Sequence, residues 1–220
     1  MRTKYLNCTI IHSKKKRNLD EIKKAIKRAE RKDSELYNMK IKPYDLILFD
    51  TLKEYQKKAH VVVGNACVMY KKIYLFEVKS GKEKHFPISF TLYHELNHLF
   101  YLRRVGHFKP EWLSEGVALF DQREYNPPKK RAWKKYFSAI KKPERHLLTK
   151  TRHLKKTEER NKFFIISYLC TAYLEKKFGK TKLIDFLEQI PKQYNDKVFW
   201  NRFKKYFKLS KKQLVINSLK

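Results

Sequence analysis

Glycine is scarce in this chain, with five residues in 220, and proline contributes only seven more. Those counts exclude a low-complexity chain. Cysteine is scarcer still: Cys8, Cys67 and Cys170 are odd in number and widely spaced. They form neither a disulfide framework nor a metal-ligand cluster, and read as free buried thiols in a reducing compartment. Long apolar runs are missing as well. The longest, Phe163 to Leu174, is about 12 residues, short of the roughly 20 that span a bilayer. The start of the chain makes a poor targeting segment. Residues 5–11 are interrupted by Asn7, Cys8 and Thr9, run straight into Lys14-Lys-Lys-Arg17, and carry no small-residue cleavage site. A soluble, cytoplasmic protein with no transmembrane segment is expected.

Acidic residues are also few, 22 Asp and Glu against 53 Lys and Arg, giving a net charge of +31. Such a balance raises affinity for nucleic acid, anionic surfaces and acidic proteins without choosing among them. The densest stretch is Asn126 to Lys162, with fourteen Lys/Arg against three Glu and with Trp133, Tyr136 and Phe137 among the charges. Basic residues interleaved with aromatics suit a single-strand nucleic-acid groove. The lysines nevertheless run through the whole chain, whereas a footprint should be a patch. Nucleic acid is therefore the less favoured partner.

What the chain does have is a 42% apolar content, with aromatic residues making up 15% of the chain, enough for one domain or one with a helical appendage. Hydrophobic periodicity predicts strands at 4–11, 44–49, 61–63 and 66–78, with a turn at Ser80-Gly81-Lys82. It predicts a basic helix at 18–38, capped by Asn18 with Glu21 three residues on, and turning Ile22, Ala25, Ile26 and Ala29 inward. Further helices are expected at 51–59, 88–105 and 111–123, the last ended by Asn126-Pro127-Pro128. Others follow near 129–141, 161–178, 180–190, 195–207 and 210–218. The fold class is α+β: a small mixed N-terminal β-sheet, then a mostly helical C-terminal half. One domain over 1–220 is expected, with a strand-rich part to 86, site-bearing helices over 87–125 and helices beyond.

Within the 88–105 helix stands His94-Glu95-Leu96-Asn97-His98. Residues four apart on a helix point the same way, so both imidazoles share a face. Two neutral imidazoles suit Zn²⁺, and the carboxylate between them can act on water at the metal. Leu92, Leu96 and Leu99, with Tyr93 and Phe100, form an apolar stripe that makes the helix a core element and holds the histidines on an adjacent face. Asn97 is not expected to be a ligand.

The third ligand is contested. His107 is one candidate. The metzincin pattern would need Gly at 101 and His at 104, where this chain has Tyr101 and Arg104, and a compact site would need His at 102, which is Leu102. Glu115 is the favoured candidate. It lies in the apolar segment Trp112 to Phe120, where a carboxylate is costly to bury unless it is paired or binds a metal. Gly116 beside it would let the two helix backbones, that of the histidine helix and its own, approach closely. Two His and one Glu leave a fourth position open, the catalytic form of a zinc site.

The stretch Tyr93-His-Glu-Leu-Asn-His-Leu-Phe100, followed by Trp112-Leu-Ser-Glu-Gly-Val-Ala118 with sixteen residues between His98 and Glu115, resembles the gluzincins. More narrowly it resembles the peptidase MA-like proteins related to the M1 aminopeptidase catalytic domain. Upstream, Tyr44 to Asp50, Gly64-Asn-Ala and Lys72 to Phe76 are similar to that family's strand, helix, strand approach to its active-site helix. Downstream, Phe164 to Gly179 is similar to its helix ending Y-L-x-x-x-x-G. The resemblance implies a thermolysin-like, zincin fold with the sheet packed on the HExxH helix, and a Zn²⁺ cofactor held by His94, His98 and Glu115. It also implies a tyrosine near the start of the later helix that stabilises the oxyanion. Phe164 stands there and has no hydroxyl to donate. Tyr168, one turn on, is the candidate replacement.

The expected activity is zinc-dependent hydrolysis of peptide bonds, with Glu95 as general base and Tyr168 as oxyanion donor. The expected partner is a peptide or protein substrate of acidic character. The alternatives are a basic nucleic-acid-binding protein and a catalytically impaired zinc-binding scaffold.

Overall fold

The computed structural model describes residues 1–13, 19–59, 66–69, 71–76, 88–121 and 157–219. The expected strand at 61–63, the turn at 80–82, the stop at 126–128, the helix at 129–141 and the capping role of Asn18 lie outside the described residues. So does most of the basic segment 126–162. The chain divides into two compact units, Met1–Phe100 and Tyr101–Lys220. Together the described residues hold eight helices and one five-stranded mixed sheet, an α+β protein. None of these helices is long and apolar enough to cross a membrane.

The first unit carries the sheet. Its strands are β1 (Arg2–Tyr5), β2 (Cys8–Ile11), β3 (Tyr44–Phe49), β4 (Ala66–Met69) and β5 (Lys72–Phe76). They stand in the order β1-β2-β3-β5-β4, with the outer pairs antiparallel and the inner pairs parallel. Period-two alternation sets the register. Ile10 pairs with Leu46, Leu46 with Ile73 and Ile73 with Val68, so one row of buried apolar side chains crosses four strands. The strand expected over 4–11 is instead a hairpin. Tyr5 pairs with Cys8 and the chain reverses at Leu6 and Asn7. Leu6 has φ +51°, a conformation that a two-residue hairpin turn usually gives to glycine. The run expected over 66–78 likewise divides into β4 and β5, which pair antiparallel with Met69 opposite Lys72.

Helix α1 (Leu19–Tyr37) connects β2 to the parallel β3, and α2 (Leu52–Ala59) packs against β3 and β5. As expected, Ile22, Ala25, Ile26 and Ala29 of α1 are buried. The same face continues through Glu30, Asp33 and Tyr37, which are buried too. Asn38, at φ +47°, ends the helix, a left-handed position that asparagine tolerates. Glu30 is held by Asn7 Nδ2 and the Tyr44 hydroxyl, each donating at 3.1 Å. Helix α3 (Ile88–Val105) follows and stops where Gly106, at φ +91°, turns its N–H back to the Leu102 carbonyl.

The second unit is helical: α4 (Glu111–Asp121), α5 (Thr157–Phe178), α6 (Lys180–Leu187), α7 (Asp196–Phe207) and α8 (Lys211–Ser218). Asn195 caps α7 by accepting from the Val198 N–H, and Ser210 with Gln213 closes a capping box at α8. Phe186, Phe199, Phe203 and Phe207 are fully or almost fully buried and stack edge-on or tilted against one another. Trp112 of α4 joins that cluster, lying parallel to Trp200 at 5.9 Å. Edge-to-face and offset contacts of this kind add to the burial of ring area. Helix α4 packs most extensively on α5, which also carries α6 and α8.

Candidate metal centre

The apolar stripe of α3 is buried as its spacing predicts: Leu92, Leu96, Leu99 and Phe100 have no exposed surface. Tyr93 is an exception within the expected stripe. It is only half-buried, and Arg28 and Lys32 of α1 lie 5.8 and 5.9 Å from its ring centre. With the leucines turned inward, His94 and His98 stand on the adjacent face. Their rings are perpendicular, with centroids 4.5 Å apart and Nε2 atoms 2.9 Å apart. His98 is buried and His94 half-buried. Two nitrogens on one tetrahedral zinc, at about 2.0–2.1 Å each, stand about 3.3 Å apart. The observed separation is within about half an ångström of that.

Glu95, between them, is buried to 7% exposure. Tyr55 and Cys67 belong to its surroundings, since its negative charge helps to hold both above their ordinary pKa values, after desolvation. Burial pushes the Cys67 thiol up to about 11. Tyr55 is a neighbour that sequence periodicity gave no reason to single out.

Asn97 has a role that spacing alone did not assign. Its side chain is fully buried, donates to Asp33 Oδ1 at 3.1 Å and accepts from the Tyr37 hydroxyl at 2.8 Å. Asp33 is 1% exposed and Tyr37 is fully buried, with its ring stacked on Phe100 at 5.7 Å. The 3.6-residue repeat of α1 puts Asp33 and Tyr37 on its inner face, and a polar residue there is the signal that could have drawn attention to them.

Glu115 is half-buried on α4, among the buried Trp112, Leu113, Val117 and Ala118. Its position follows from Gly116. A Cβ there would overlap Thr171 Oγ1 and stand 2.5 Å from the Ser167 carbonyl oxygen of α5. The close approach that Gly116 permits is that of α4 to α5. His94, His98 and Glu115 each offer one ligand atom, and these atoms lie within 4.8 Å of one another. Two imidazole nitrogens and a carboxylate oxygen are a donor set that could hold a metal ion. His107 is engaged elsewhere. Its Nδ1 accepts from the Lys109 N–H at 3.1 Å, which leaves Nε2 to donate to the Pro191 carbonyl at 2.9 Å.

Tyr168 lies on α5 one residue beyond the Ser167 carbonyl that meets Gly116, half-buried, with its ring 6.2 Å from that of Phe120. Burial raises its hydroxyl pKa, so the hydroxyl stays protonated and able to donate at neutral pH. Phe164, half-buried, stands against Phe163. The three cysteines are free thiols, Cys8 and Cys170 buried and Cys67 half-buried. No protein-family model matches the chain, and no curated protein matches it.

Proposed function

We propose that the chain is a zinc metallopeptidase of gluzincin type, with a zincin-like fold, that hydrolyses peptide bonds. The observation that carries this reading is the convergence of His94, His98 and Glu115 ligand atoms within 4.8 Å, with buried Glu95 between the two histidines in sequence. His94 and His98 would bind Zn²⁺ through Nε2 and Glu115 through a carboxylate oxygen. When bound, the ion supplies Lewis acidity, polarising a peptide carbonyl and acidifying water.

The remaining work falls to side chains. Glu95 accepts a proton from the attacking water on its carboxylate and passes it to the nitrogen of the departing amine. Tyr168 is proposed as the donor to the oxygen that gains negative charge, a role Phe164 cannot take. That same Phe164 favours a second reading, a zinc-binding scaffold with impaired turnover.

The test is hydrolysis of a diverse peptide mixture by the zinc-loaded wild type beside Glu95→Gln. The proposal expects new amino termini from the wild type and nearly none from the variant. A zinc-loaded wild type that cleaves nothing supports the scaffold. Equal cleavage by both proteins removes Glu95 from the mechanism.

A further inference from the structure

Buried polar groups on helices are costly unless their partners are fixed, and a fixed network specifies one arrangement of the elements that carry it. The network of Asp33, Tyr37 and Asn97 meets that description. All three side chains are at most 1% exposed, and two hydrogen bonds of 3.1 and 2.8 Å tie α1 to α3. The point of attachment on α3 is Asn97, the residue immediately before His98. A rotation of α3 about its axis would break both bonds at once and would turn both imidazoles. Apolar packing of the buried leucines resists such a rotation too, and the amide held at both ends adds a directional constraint that the leucines lack.

We propose that Asp33 and Tyr37, acting through the Asn97 amide, are positioning residues for the His94–His98 pair: they set the rotation of α3 and thereby the metal affinity of the site. This rests on the reading of the site as a zinc centre. The amide is suited to the task because it accepts from the Tyr37 hydroxyl on its oxygen and donates to the Asp33 carboxylate from its nitrogen, so its orientation has one solution. An aspartate at 97 would set a second carboxylate against Asp33, and like charges at that distance repel strongly in a buried setting.

The experiment measures Zn²⁺ affinity by competition with a chelator, together with the melting temperature of each zinc-free protein. The proteins are the wild type, Asn97→Asp, Tyr37→Phe and the exchange Asp33→Asn/Asn97→Asp. The exchange returns one amide and one carboxylate to the pair with donor and acceptor reversed. The proposal expects Asn97→Asp to weaken zinc binding about tenfold or more, in line with losses of outer-shell partners, and the exchange to recover most of it. Tyr37→Phe keeps the ring on Phe100 and loses only the hydroxyl, so it should weaken zinc binding measurably with little change in melting.

Melting temperatures that fall while the zinc affinity of the folded protein stays at the wild-type value would overturn the proposal and leave the network a packing feature. Should Asn97→Asp fail to fold, unchanged affinity in Tyr37→Phe overturns it equally. A wild type that binds no zinc overturns both this proposal and the zinc reading. A wild type that binds zinc beside indifferent variants overturns this proposal alone.

Discussion

Glu95 is the residue on which chemistry and binding separate. On the proposed reading it adjoins a ligand histidine without being a ligand, so Glu95→Gln should keep zinc while kcat falls by about 10²- to 10⁴-fold, the usual worth of a general base. Zinc content and single-turnover hydrolysis on the same preparation check both halves. The thiols give a second prediction at this scale. Burial pushes Cys8 and Cys170 up to about 12. Unfolded thiols ionise near 8.5–9 while the folded ones hold their protons, so their contribution to stability is intact below pH 9 and is lost as pH rises towards 12. Cys170→Ala should therefore flatten the fall in denaturation midpoint between pH 8.5 and 10.5, measured against the wild type. A parallel fall in both proteins would mean that Cys170 is not a source of the alkaline instability.

At the scale of elements, the crossing of α4 and α5 is the most exacting feature. The Ser167 carbonyl that faces Gly116 is backbone and cannot step aside, so even Gly116→Ala should destabilise by about 1–3 kcal/mol, the range for overpacking, despite the better helix propensity of alanine. Because Glu115 rides on the same turn, zinc affinity should fall with it. A variant as stable as the wild type would contradict the close approach. The hairpin makes the opposite case. Leu6 is exposed and holds φ +51°, so Leu6→Gly should be neutral or stabilising by up to about 1 kcal/mol in thermal melts.

These two elements also mark what the sequence could tell. Helices α3, α4, α7 and α8 stand within about two residues of the spans read from the sequence, and α3 agrees end to end. The division of residues 4–11 into a hairpin was not legible, because the turn is made by Leu6 and Asn7 rather than by a glycine. At the candidate site, His94, Glu95, His98 and Glu115 announce themselves through spacing and residue type. Asp33 and Tyr37 do not, since they lie some sixty residues from Asn97 and only folding brings them to it.

At the scale of the whole molecule the excess of positive charge dominates, +31 in 220 residues. Its densest stretch lies outside the described residues for most of its length, so its expected effect comes from composition. If the segment after α4 borders the substrate path, an attractive potential should favour acidic peptides, and the preference should shrink as salt screens it. Reversing Lys134, Lys135, Lys141 and Lys142 to Glu should then cut kcat/KM for an acidic peptide far more than for a neutral one of equal length. Equal losses, or no salt dependence, would make these lysines a solvated outer face.

The central claim is that His94, His98 and Glu115 form one zinc site. Elemental analysis of the dialysed, reconstituted protein tests it most directly, with wild type, Glu95→Gln, Glu115→Ala and His107→Ala measured side by side. The account predicts one zinc per chain in the wild type, in Glu95→Gln and in His107→Ala, and a marked loss in Glu115→Ala. No zinc in the reconstituted wild type, or loss in His107→Ala with retention in Glu115→Ala, would contradict it.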